Sequence, residues 1–263
     1  MVFGACNSLI PLWQLAITMS KSGSNLGKNL IFPLIPPGHM VYGFIFDMDG
    51  VVIDSNPYHK IAWEKFLVGQ GVSFNDQLFD NVLSGRTGPS SLKMLFGEAL
   101  SQDKLDLYLE EVDSNYQNIL RETKDVRPIA GLHTFLDKVK GCGIRMALAT
   151  SAPELNIELG LQKLKLENTF SHIVGKVDVT HGKPHPEVYL KTLELMEMEA
   201  EDCIVFEDSK AGIQSALSAG MKVVGIASGH SREELLDEGV SMVLDDFTGL
   251  EPDEVISLIL NND

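Results

Sequence analysis

The chain has 263 residues, 44% apolar and 22% charged, a balance that suits a globular protein with one large core or a core carrying an insertion. Its net charge is −16 and no block of lysine or arginine stands out, which argues against sequence-independent binding to nucleic acid or anionic lipid. The same charge repels anionic substrates, so a site for one has to be locally positive. Cys6, Cys142 and Cys203 form neither a paired framework nor a CxxC, which points to a reducing, cytoplasmic compartment.

Residues 1–40 show apolar pieces without a sustained period. Asn7, Pro11 and Gln14 break the longest uncharged run, and a signal peptide would lack its positive n-region. This stretch reads as an extension that is disordered or poorly packed, or as the product of an upstream start codon, with the folded domain beginning near Met40. The aromatic, apolar run at 41–46 reads as a buried strand. Helical periods follow at 57–70, 75–83, 89–100 and 102–122, and no strand pattern occurs between 56 and 125. Beyond Arg127 helices and strands alternate: helix 131–140 and strand 144–150, helix 153–164 and a short strand at 172–175, helix 186–197 and strand 203–208. Helix 210–219 then leads to strand 222–227, helix 231–238 to strand 241–247, and a last helix fills 249–260. Alternation of this kind predicts an α/β fold, a Rossmann-like parallel sheet covered by helices on both faces. The helical block at 55–126 interrupts it as an inserted α-helical cap, with hinges near 53–57 and 122–129. Residues 41–54 and 127–263 then make up the core.

Such a sheet gathers ligands at the carboxyl ends of its strands. Asp47 and Asp49 follow the first predicted strand, Thr150 and Ser151 the second, and Lys183 lies in the loop after the third. Glu207, Asp208 and Ser209 close the fourth. Each has a plainer reading alone: an acidic turn, a helix entry before Pro153, a solvated lysine, an N-cap cluster. Their arrival at consecutive strand ends favours phosphoryl transfer instead. That chemistry uses a carboxylate nucleophile, a second carboxylate as acid and base, Mg²⁺ on oxygen ligands, and hydroxyl and ammonium groups for the transferring oxygens.

The segments "DMDGVVIDS", "ALATS", "GKPHPEVY" and "VFEDSKAGIQSALSAG" occur in the order found in the haloacid dehalogenase superfamily. Over about residues 41–248 the chain resembles the phosphohydrolases of that superfamily, in the β-phosphoglucomutase-like branch with a helical cap. The resemblance implies Asp47 as nucleophile and Asp49 as general acid and base. It implies Mg²⁺ held by Asp47, the Asp49 carbonyl and Asp208, with Glu207 as a direct or water-mediated partner. Thr150, with the backbone near Ser151, would bind phosphoryl oxygens, and Lys183 would neutralise nucleophile and phosphate. An acid at Asp49 also sets the chain apart from the dehalogenases proper.

In the cap, His59 matches a histidine that couples cap closure to the acid/base aspartate; a partly exposed helix histidine is the plainer reading. Ser84, Gly85 and Arg86 match a substrate-specificity loop, in which Arg86 could hold a second anionic group; a solvated turn is the plainer reading. Trp63, Phe66 and Leu67 share a stripe that reads as core. One departure counts against a mutase: the segment "YLEEVDSNYQNIL" lacks the lysine that β-phosphoglucomutases carry there. The expected activity is a Mg²⁺-dependent phosphatase for a small phosphomonoester, such as a sugar phosphate, working through an aspartyl-phosphate. A β-phosphoglucomutase is the alternative, and an idle binding protein a third reading that the full motif set disfavours. The expected partner is a small phosphorylated metabolite, not a nucleic acid or a membrane. Oligomeric state stays open and is compatible with a monomer.

Overall fold

The computed structural model describes residues 42–83 and 87–260. The expectation for residues 1–40 lies outside the described residues. Six strands form one parallel sheet: β1 (Gly43–Phe46), β2 (Arg145–Ala149), β3 (His172–Val174), β4 (Cys203–Glu207), β5 (Lys222–Ile226) and β6 (Met242–Leu244). Their order is β3-β2-β1-β4-β5-β6. The chain therefore steps outward from β1 through β2 to β3, then returns to the other side of β1 and steps outward again. Phe46 stands opposite Leu148 on one side and Phe206 on the other. The direction of winding reverses between β1 and β4, and a crevice opens at their carboxyl ends.

Alternation along β1 divides the core into two layers. Phe44 and Phe46 face one way, onto Phe135, Phe206 and Phe247, and Phe46 stacks on Phe206 at 4.7 Å and 5°. Ile45 faces the other way, into a layer with Ala147, Val174, Tyr189, Val205 and Ile213. An aromatic contact of this kind contributes about 0.5–1.5 kcal/mol beyond burial of its area. Helices cover both faces: α5 (Leu132–Gly141), α6 (Glu154–Leu164), α7 (Glu187–Met196), α8 (Lys210–Ser218), α9 (Arg232–Asp237) and α10 (Pro252–Leu260).

Between β1 and β2 lie α1 (Asn56–Gly69), α2 (Asp76–Leu78), α3 (Gly88–Phe96) and α4 (Gln102–Glu122). They bury a core of their own, in which Trp63, Phe66 and Leu67 pack with Phe79, Leu92 and Tyr108. The helix expected at 75–83 is one α turn that widens into a π turn at Phe79–Leu83. The helix expected at 89–100 stops at Phe96, because Gly97 takes φ +94°. The strand expected at 241–247 keeps only Met242–Leu244. Arg232 holds Asp245 at 2.8 Å, and the Asp246 carboxylate accepts the Thr248 N–H at 2.7 Å, so the backbone turns away from the sheet. The chain's two passages between sheet and helices run side by side: the Asp54 N–H donates to the Arg127 carbonyl at 3.0 Å, and Ile53 bridges Pro128. Among the described residues no helix is long and apolar enough to cross a membrane.

Candidate active site

Asp47 leaves β1 with its N–H still donating to the Phe206 carbonyl at 3.0 Å, so the sheet ladder fixes its position. A tight turn follows, in which the Val52 and Ile53 N–H groups donate to the Met48 carbonyl at 2.9 and 3.0 Å. Gly50 permits that turn twice over. Its φ is +72°, and a Cβ there would lie 2.0 Å from Asp208 Oδ2.

Lys183 binds the strand ends together. Its Nζ donates to Asp47 Oδ1 and Glu207 Oε1, both at 2.6 Å, and to the Ala149 carbonyl at 3.1 Å. Only 6% of its side chain is exposed. Burial alone would lower its pKa; the Asp47 and Glu207 charges overcome that and hold it well above the usual lysine range. Glu207 is fully buried, and both its oxygens are engaged. Oε1 also accepts from the Tyr189 hydroxyl at 2.8 Å. Oε2 accepts from the Asp208 and Ser209 N–H groups at 3.0 and 3.1 Å and from the Ser209 hydroxyl at 3.1 Å.

Asp208 accepts from the Ser228 hydroxyl at 3.1 Å, and its own carbonyl faces His230 Nδ1 at 3.0 Å. Asp47, Glu207 and Asp208 present carboxylate oxygens all within 4.8 Å of one another. One ammonium does not balance three carboxylates, two of them buried. Burial pushes Asp47 up to about 7, with Lys183 opposing and the charges of Glu207 and Asp49 adding to the rise. Burial, then Glu207 and Asp47, push Asp208 well above the usual range. A hard divalent cation relieves that repulsion, and an all-oxygen donor set suits Mg²⁺.

Thr150 is buried at the end of β2, where its hydroxyl accepts the Ala152 N–H at 3.1 Å, while Ser151 is exposed. Asp49 points the other way, toward the helical block. His59 on α1 meets it at 3.1 Å. Burial would raise the Asp49 pKa; the His59 charge and hydrogen bond bring it below the usual carboxylate value. The His59 ring stacks on Tyr116 of α4 at 4.2 Å and 9°. The Ser55 and Tyr116 hydroxyls are buried beside Asp49 without reaching hydrogen-bond geometry, and burial followed by the Asp49 charge pushes the Tyr116 phenol well above its usual range.

The structure thus brings Asp47, Asp49, Thr150, Lys183, Glu207 and Asp208 to one sheet edge, with His59 against Asp49. Ser84, Gly85 and Arg86 lie outside the described residues. Sequence reasoning missed Tyr189, Ser228, His230 and Tyr116. Ser228 and His230 follow the fifth predicted strand and could have been found by extending the strand-end search. Tyr189 closes the "GKPHPEVY" segment, where no role was read for it, and Tyr116 lies in "YLEEVDSNYQNIL", read only for its missing lysine.

Residues 44–226 match the family described as haloacid dehalogenase-like hydrolase. The chain belongs to this family. As a haloacid dehalogenase-like hydrolase it is an enzyme of the β-phosphoglucomutase-like branch, and its relatives include phosphatases and phosphomutases. It is 30% identical over 82% of its length to a phosphorylated carbohydrates phosphatase of Thermotoga maritima, covering 96% of that protein. It is 29% identical over 71% of its length to a β-phosphoglucomutase of Bacillus subtilis, covering 83% of it. The crystal structure of a family IA, variant 3 hydrolase from Entamoeba histolytica superposes with a TM-score of 0.77 at 30% identity, over 84% of this chain and all of that one. The haloacid dehalogenase-like hydrolases of this branch pair a parallel sheet with a helical cap, and α1 to α4 are that cap here.

Proposed function

We propose that the chain is a Mg²⁺-dependent phosphatase for small phosphomonoesters, sugar phosphates among them, working through an aspartyl-phosphate on Asp47. The observation that carries this reading is the Lys183 bridge between Asp47 and Glu207 at the β1 and β4 strand ends. It fixes Asp47 with one oxygen ion-paired and leaves the other for attack on phosphorus. Asp47, the Asp49 carbonyl and Asp208 would hold Mg²⁺, which supplies charge neutralisation between nucleophile and phosphate. Glu207 has both oxygens committed, so we assign it to orienting Lys183 and the start of α8 rather than to direct ligation. The Thr150 hydroxyl accepts from Ala152 and keeps its own proton to donate to a phosphoryl oxygen. Asp49 and His59 hold a proton between them. Turned toward the crevice, Asp49 delivers it to the leaving alkoxide and then takes one from the water that cleaves the acyl phosphate.

The α4 segment "YLEEVDSNYQNIL", without the lysine that β-phosphoglucomutases carry there, supports a phosphatase over a mutase. Asp106, Glu110 and Asp113 of α4 line a space of about 520 Å³ opposite Pro153, with Lys176 as the cation among its lining residues. The His59–Asp49 contact and the likeness to a β-phosphoglucomutase keep the mutase as the second reading. Phosphate release in Mg²⁺ from a panel of sugar phosphates tests the proposal, with β-glucose 1-phosphate and its 1,6-bisphosphate assayed for isomerisation. The proposal fails if no phosphomonoester is hydrolysed, and the mutase reading replaces it if glucose 6-phosphate forms faster than free phosphate.

A further inference from the structure

The loop that carries Lys183 and the first residue of α7 carry three side chains with no part in the chemistry above. Donor atoms of His181, His185 and Glu187 all lie within 4.8 Å of one another. His181 Nδ1 is 2.9 Å from Glu187 Oε2, and His185 Nδ1 is 3.9 Å from the same oxygen. The two imidazole rings are neighbours, with centroids 4.6 Å apart and a tilt of 35°. Glu187 is anchored before any ligand arrives: Oε1 accepts the Thr180 N–H at 2.7 Å and Oε2 the His181 N–H at 2.9 Å. Pro184 and Pro186 restrict the intervening backbone. Side-chain exposures of 62% for His181, 51% for His185 and 28% for Glu187 leave the group open to solvent.

We propose that His181, His185 and Glu187 form a second metal site, distinct from the acidic one, for a divalent transition metal such as Zn²⁺. Two imidazole nitrogens and one carboxylate oxygen suit Zn²⁺ and its neighbours, and leave a fourth position to water. Mg²⁺ prefers oxygen donors throughout, so the two sites divide the metals by ligand chemistry. Tetrahedral donors at zinc distances lie about 3.3 Å apart. Reaching that spacing asks for rotation of two exposed rings about a carboxylate already in place, with His185 Nδ1 giving up the Glu187 N–H that it accepts at 3.3 Å. The bound ion would link His181, before Lys183, to His185 and Glu187, after it, and so brace the turn that presents Lys183 to Asp47.

The test is calorimetric titration of the chelator-stripped full chain with Zn²⁺ in saturating Mg²⁺. One Zn²⁺ per chain is expected. H181A and H185A should each weaken it more than about tenfold, the least that even an outer partner of a metal ligand contributes. Affinity should rise from Mn²⁺ to Zn²⁺ to Cu²⁺. The double variant H181A/H185A should keep wild-type phosphate release in Mg²⁺, and D208N, altered at the acidic site, should keep Zn²⁺ binding. Equal Zn²⁺ affinity in the wild type and the double variant overturns the proposal, as does loss of Zn²⁺ from the wild type to excess Mg²⁺. Cobalt absorption of the loaded wild type is an independent readout: four-coordinate bands support the site, and a spectrum unchanged in the double variant removes it.

Discussion

The two sides of the Asp47–Asp49 turn are held in opposite ways. Toward the sheet, Asp47 and Glu207 share Lys183 through two ion pairs of 2.6 Å, with no member more than 10% exposed. Toward the cap, Asp49 meets His59 at 3.1 Å, and both are about a third exposed. The first arrangement draws on three strand ends and the start of a helix, so no single motion undoes it. The second hangs on one helix of the inserted block. In the reaction proposed above, the nucleophile, which must not wander, is set in a braced, poorly solvated network, and the group that gives and takes a proton is held by one exchangeable contact.

The largest effect should come from D47N, which removes the oxygen proposed to attack while keeping the shape. Turnover should fall by about four orders of magnitude or more with the circular dichroism spectrum intact. Activity near the wild-type level, with no hydrolysis back to aspartate by mass spectrometry, would mean that another group attacks.

Next, K183M and H59A should separate the two sides by stability. K183M leaves Asp47 and Glu207 buried without their counter-charge and should cost about 3–5 kcal/mol in denaturant unfolding. H59A breaks a partly exposed pair and should cost less than about 1 kcal/mol. Similar losses in the two variants would erase the contrast.

Y116F sharpens the proton-transfer side. Its hydroxyl has no hydrogen-bond partner among the described residues, so stability should barely change. If the hydroxyl steadies Asp49 during transfer, kcat on an alkyl phosphate should fall about tenfold, while p-nitrophenyl phosphate, which needs no acid, should be hydrolysed as before. Equal effects on both substrates would reduce Tyr116 to packing against His59.

The smallest effect concerns the metal-free protein. Burial, ahead of its neighbours' charges, raises Asp47 from 3.8 to about 7 and Asp208 in the same direction. Between pH 4 and 7 the folded state then binds more protons than the unfolded state, so stability falls as pH rises through that window. In chelator, the melting temperature should decline from pH 5 to 7. Added Mg²⁺ should flatten the trend, and D47N should weaken it. A flat profile in chelator for the wild type would show that the carboxylates do not repel one another as described.

The sheet side was legible because strand ends announce themselves: short apolar runs stop at Asp47, Thr150 and Glu207, and parallel topology brings such ends together. Less could be read where a residue type serves two purposes. Glu207 reads as a metal ligand, and only its contacts with Lys183, Tyr189 and Ser209 show its oxygens committed. Tyr189 and Tyr116 obey the helical period like any core residue, and nothing in that period marks which hydroxyl ends beside a carboxylate. The π turn at Phe79–Leu83 keeps the apolar spacing of an ordinary helix, so its extra residue per turn was invisible.

The paired passages at Ile53–Pro128 and Asp54–Arg127 bear on how such a chain changes over evolutionary time. Because the polypeptide departs and returns at adjacent points, everything between residues 56 and 125 is an excursion whose length hardly matters to the closure of the sheet; doubling a loop adds only about 0.6 kcal/mol. Cap helices can be lengthened, shortened or exchanged while Asp47 stays where the β1 ladder puts it. Selection for a new substrate can therefore act on one segment while the phosphoryl chemistry is inherited unaltered from the other.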